Sequence, residues 1–269
     1  MDLTRTSYEQ SSICEVLNRP PPIHNSCCIR IPGEIIHDPD PAIYDQRLIY
    51  QGGGLPTFNS PDISTVDLWP IRPIDNLSAT VRNLSADASA NQTRADLSWS
   101  VWGIGMPRQA IASTFVDLAR AGFGGSEQTL FWPLPPVVKA AARYGIFINL
   151  LHPYDRDPSN NQGEQTLDGF QTSQGRSKTF VVPVRNPSST VQTISLVAGP
   201  ASVAPWVTVT PSTVTLNPGM QQSVMVHINV PAAIPASPPG TLISATVDVL
   251  ATMGGTYLGG VSFVILFDA

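Results

Sequence analysis

The densest group of oxygen ligands in this sequence is Asp155, Asp157, Ser159, Asn160 and Asn161, in the run Pro153-Tyr154-Asp155-Arg156-Asp157-Pro158-Ser159-Asn160-Asn161. Carboxylate and amide oxygens closely spaced in a loop are the donor set that Ca²⁺ prefers. Asp155, Asp157 and Asn160 are therefore the candidate calcium ligands. The spacing is not that of an EF-hand: Pro158 falls inside the loop, no Gly stands at its sixth place and no Glu at its twelfth. The same residues make an Asx-rich turn that satisfies its own backbone, and this is the expected use. A second metal-type group, Cys14, His24, Cys27 and Cys28, lies within fifteen residues. Zinc sites favour cysteines two to four residues apart, and neighbours such as Cys27 and Cys28 seldom reach one ion together. Free thiols are the expectation there.

Nucleophilic catalysis needs a Ser or Cys with a base held by an acid. No Gly-x-Ser-x-Gly elbow occurs, and His24, His37, His152 and His227 are far apart in the chain. Gly122-Phe123-Gly124-Gly125 looks like a phosphate loop but lacks the following Lys and helix, so a hairpin turn is expected. Nothing in the sequence points to an enzyme. Five tryptophans, Trp69, Trp99, Trp102, Trp132 and Trp206, offer either core filling or a sugar-stacking platform. Trp99 and Trp102 are three positions apart and face opposite ways on a regular strand. Either a bulge intervenes or one of them is exposed; Trp102 is the residue to test for carbohydrate binding. Three Asn-x-Ser/Thr patterns begin at Asn76, Asn83 and Asn91 and are taken as chance.

Composition restricts the scaffold. The chain has 269 residues, of which 42% are hydrophobic and only 13% charged, with 26 Pro and 20 Gly. Pro removes a backbone donor and Gly costs chain entropy, so long helices are disfavoured and a turn-rich all-β chain is favoured. A net charge of −5 argues against electrostatic binding to nucleic acid or anionic lipid. No apolar run is long enough to span a membrane, so no membrane insertion is expected. No secretory signal is visible at the N-terminus, which makes a cytoplasmic location the default and cell-surface or extracellular assembly the alternative.

The elements read as two strand-rich regions behind an arm. Residues 1–60 lack sustained periodicity, hold Pro20-Pro21-Pro22 and Gly52-Gly53-Gly54, and are expected to form an extended N-terminal arm that packs on the chain itself or on a second subunit. Residues 61–168 carry alternating segments such as Leu97, Trp99, Val101, and an apolar run Ile146–Leu151 that suits a central strand. Residues 162–178 are polar and read as a linker or long loop, with 169–178 as the domain boundary. Residues 179–269 hold about seven strands, the size of one immunoglobulin-like sandwich. Val81-Arg82-Asn83-Leu84-Ser85 and Val184-Arg185-Asn186-Pro187-Ser188 form a short internal repeat, each a strand end followed by a Ser-containing turn. Tolerance of a left-handed backbone accounts for the Asn.

The first region resembles CARDB, the bacterial cell-adhesion-related domain, over about 105 residues. Ser60-Pro61-Asp62-Ile63, Val81-Arg82-Asn83, Val116-Asp117-Leu118-Ala119, Phe131-Trp132-Pro133 and Asp155–Asn161 carry the likeness by their order and spacing. The second region is similar to the Ig-like spacer modules of bacterial surface proteins through Pro205–Pro211 and Leu216-Asn217-Pro218-Gly219. The resemblance implies two tandem Ig-like β-sandwiches, no catalytic residues, and adhesion or scaffolding through protein partners or self-association. The absence of a visible export signal or wall anchor departs from that family habit.

Overall fold

The computed structural model describes residues 38–68, 71–141, 143–232 and 242–268. Cys14, His24, Cys27, Cys28, His37 and Trp69, with most of the expected arm, lie outside them.

The fold is all-β, two sandwiches built in chain order. The first uses β1 (Pro41–Ala42), β2 (Ile63–Leu68), β3 (Ile71–Asn83) and β6 (Glu127–Pro133) as one sheet, centred on β3. Its second sheet runs β5 (Gln109–Leu118), β4 (Ala90–Val101), β7 (Tyr144–Leu151), β8 (Gln162–Gln165). Along β4, Thr93, Ala95, Leu97 and Trp99 point into the core, as the period of two requires. The second sandwich has a three-stranded sheet of β10 (Ser177–Arg185), β14 (Gln221–Asn229) and β12 (Val207–Thr210). Facing it is a five-stranded sheet in the order β13 (Thr213–Leu216), β11 (Gln192–Gly199), β15 (Leu242–Met253), β16 (Thr256–Asp268), β9 (Leu167–Ser173). Val224, Val226 and Ile228 on β14 oppose Val247, Val249, Phe263 and Ile265 across this core.

Three findings depart from the sequence reading. The polar stretch read as a linker is β8 and β9, and only Thr166 separates them. β8 closes the first sandwich against β7, and β9 pairs in parallel with β16 of the second. The polar composition misled because β8 and β9 are edge strands, which need few apolar side chains; Leu167 and Phe170 are the ones buried. The second departure is α1 (Gln46–Gln51) within the expected extended arm, started by Asp45, whose Oδ1 accepts from the Leu48 N–H at 3.0 Å. A five-residue α2 (Pro136–Ala140) precedes β7. The third is the internal repeat. Asn83 and Asn186 are both buried, and neither has a positive φ. Each Oδ1 instead accepts the N–H two residues on, from Ser85 at 3.1 Å and Ser188 at 2.9 Å. Each Nδ2 donates forward, to Ala88 O and Thr190 O, and across, to Ala119 O and Leu216 O. The repeat is therefore an Asx turn pinned to a distant strand, used once per sandwich. Asn83 has its amide committed in this way, which leaves no free nitrogen for a glycan.

Candidate site at the sandwich junction

The loop after β4 ties the two sandwiches together. Trp102 and Ile104 are buried in the core of the second sandwich, although they follow a strand of the first. Ile104 adds to the edge of β10: its N–H donates to Pro183 O and its carbonyl accepts from Arg185 N, both at 2.9 Å. The flanking glycines make this approach sterically feasible. A Cβ on Gly103 would stand 2.7 Å from Pro183 O, and one on Gly105, at φ +69°, would stand 2.4 Å from Arg185 O. Trp99 and Trp102 do face opposite ways, as their spacing demands. The second face is the neighbouring sandwich rather than solvent, so the choice between a bulge and an exposed ring is resolved by a third arrangement, with Trp102 only 6% exposed. Trp132 is also buried, and Trp206 is partly buried against the second core. Arg143 crosses the same junction, pairing with Asp168 at 2.7 Å and lying over the Trp102 ring.

Residues 55–60 form a strap over the outer face of the five-stranded sheet. Phe58 is fully buried where Gly260 leaves room, and its ring lies nearly parallel to that of Tyr257, centroids 6.3 Å apart. Asp248 anchors the strap by accepting from Phe58 N at 2.9 Å and Thr57 Oγ1 at 3.0 Å, and from Ser262 Oγ. Burial raises the Asp248 pKa above the ordinary carboxylate range, against these hydrogen bonds.

Two adjoining cavities lie where the loop after β4, α1, β8 and β16 meet. One, about 220 Å³, is lined by Gly103, Gly105, Met106, Phe147 and Pro187; the other, about 200 Å³, by Asp45, Gln46, Arg47, Gln162 and Tyr257. Arg108, Glu164 and Leu258 line both. Glu164 is buried, with Oε2 accepting from Tyr257 Oη at 3.0 Å and Oε1 from Thr166 Oγ1 at 3.3 Å. Desolvation raises its pKa, and the Arg108 charge opposes that. Tyr257 is pushed well above its usual range by burial and by the Glu164 charge. Arg108 is exposed, its guanidinium 3.9 Å over the Phe147 ring. No motif marks these groups, because Arg47, Arg108, Glu164 and Tyr257 come from four distant segments.

The Asp155 loop lies elsewhere, at the end of β7. Asp155 Oδ1 accepts from Asp157 N at 2.9 Å and Oδ2 from Asn161 Nδ2 at 2.5 Å. Asp157 Oδ1 accepts from Ser159 N at 3.0 Å and Ser159 Oγ at 2.5 Å, and caps a 3₁₀ turn over Pro158–Asn160. Asn160 Nδ2 donates to Asp40 Oδ1 at 2.8 Å, tying the loop to the segment before β1. Burial raises the Asp155 pKa. Among the described residues no three His, Cys, Asp or Glu side chains converge as a metal group, and no helix is long and apolar enough to cross a membrane.

No family model matches the chain, and no curated protein matches it. Solved structures do. The periplasmic chaperone SfaE is 14% identical with a TM-score of 0.26 over 38% of this chain, which spans 53% of that chaperone chain. The PapD-like domain 7 of human CEP192 is 12% identical, TM-score 0.25, over 38% of this chain and 80% of that one. A Porphyromonas gingivalis protein of unknown function is 12% identical, TM-score 0.28, over 74% of this chain and 93% of that one. At such identities and scores, no ligand, partner or activity passes from them to this chain.

Proposed function

We propose that this chain is a non-catalytic scaffold or adhesion protein whose sandwiches, the first of them CARDB-like, act through protein–protein contacts. The observation that carries the reading is the edge of β5. Among the described residues this ten-residue strand pairs with β4 alone, and Ala110, Ala112, Ser113 and Phe115 are exposed, Phe115 by 60%. It holds no Lys, Arg or Pro, the residues that usually blunt an edge. Two other edges are covered: Gln46 bonds both the N–H and the carbonyl of Glu164 on β8, and Ile104 caps β10, which also carries Lys178 and Pro183.

The partner is a second copy, paired β5 to β5 antiparallel about a twofold axis. Centred on Thr114, this register places Ser113 opposite Phe115 on the outer face and Ala112 opposite Val116 on the inner one. The strand's single charge, Asp117, then falls at opposite ends, so no like-charge contact opposes pairing. Light scattering tests this with the whole chain and its Ala112→Lys and Phe115→Lys variants. The wild type is expected to be dimeric at about 100 μM, with both variants monomeric. A monomeric wild type, or dimers that survive both substitutions, refutes the edge.

A further inference from the structure

We propose that the junction cleft binds a small carboxylic acid, its carboxylate held between the guanidinium groups of Arg47 and Arg108. This inference is independent of strand pairing at β5. It rests on which hydrogen-bonding groups around the roughly 200 Å³ cavity are already spent. The acceptors are. Asp45 takes the N–H of Leu48 on Oδ1 and that of Gln162 on Oδ2, each at 3.0 Å. Glu164 takes Tyr257 Oη and Thr166 Oγ1, and Gln46 is committed to Thr57 O and to the backbone of Glu164.

The unspent groups are donors, and they are cationic. Arg47 donates one amino group to Ser159 O at 3.0 Å and lies 3.6 Å from Asp45, but its buried Nε has no partner. Arg108 stacks on Phe147 and, among the described residues, makes no hydrogen bond. Each oxygen of the cavity carboxylates Asp45 and Glu164 already accepts a donor, whereas among the described residues both guanidinium groups keep N–H groups with none. A planar carboxylate matches the guanidinium fork and can bridge both arginines. Leu258 supplies an apolar wall for an aliphatic body. The cavity volume corresponds to roughly seven waters at about 30 Å³ each, which sets the ligand at a few carbons.

The test is calorimetry on the whole chain with succinate as probe, up to about 20 mM. Succinamide has the same shape without the charge, sulfate is a non-planar anion, and a blocked Gly-Glu-Gly peptide presents a carboxylate on a chain. The expected result is saturable succinate binding, weaker or absent with the other three. Arg108→Gln and Arg47→Gln are each expected to weaken it about tenfold or more. Arg108→Lys, which keeps the charge but not the fork, should recover only part. Circular dichroism checks that each variant folds; Arg108 is exposed and its replacement leaves no cavity. No heat from succinate, an equal response to succinamide or sulfate, peptide binding without succinate binding, or affinity unchanged in both Gln variants overturns the assignment.

Discussion

Replacing Gly105 with Ala adds one carbon and tests whether the loop after β4 locks the sandwiches together. Two costs arise. At φ +69° a side chain occupies the left-handed region, at about 1–2 kcal/mol. The added Cβ would also stand 2.4 Å from Arg185 O, where ordinary contact begins at 3.4 Å, so the loop must retreat from β10. Retreat loosens the two backbone bonds that Ile104 makes with Pro183 and Arg185, at about 1 kcal/mol each. It also draws Ile104, 1% exposed, partly out of the second core. The combined loss is about 3–5 kcal/mol. Gly122→Ala is the matched control: its φ is +85°, but an added Cβ there meets nothing within 4 Å. It should lose only the conformational part, about 1–2 kcal/mol. Urea unfolding of both variants at one pH measures the difference, which should be about 2–3 kcal/mol. Near-equal stabilities, within about 0.5 kcal/mol, would refute the lock.

Four further outcomes follow from the same structure. Phe58→Ala empties the site above Gly260 and should cost about 3–5 kcal/mol in urea unfolding, with the strap becoming open to proteolysis. Asn186→Ala strands the buried Leu216 carbonyl and should cost about 1–3 kcal/mol, with Asn83→Ala similar because Asn83 makes the equivalent bonds. Asp248 and Glu164 have folded-state pKa values raised by burial. The folded form therefore holds more protons than the unfolded one between the ordinary carboxylate pKa and the raised value. Stability from these groups is full below that window and is lost as pH rises through it; Asp248→Asn should flatten the dependence above the ordinary carboxylate pKa. Calcium titration should give no heat at about millimolar concentration, because both Asp155 carboxylate oxygens and Asp157 Oδ1 already accept local donors.

Strand periodicity, turn residues and low charge determined the all-β class and the two sandwiches, because burying one face of a strand imposes a period that can be read locally. Ile146–Leu151 reads as a central strand because it is apolar on both faces, and it is one, with β4 and β8 on either side. The sequence also placed the Asn83 and Asn186 turns, though not their mechanism: an Asx turn and a left-handed residue select the same amino acid. What it did not determine is what lies on the far side of a face. Trp102 reads as exposed only when the first sandwich is considered alone, and 162–178 as a linker only because edge strands need few apolar side chains. The junction cleft was invisible for the same reason. Arg47, Arg108, Glu164 and Tyr257 are up to 210 residues apart, and only the packing of α1, the loop after β4 and two sheets brings them to one cavity.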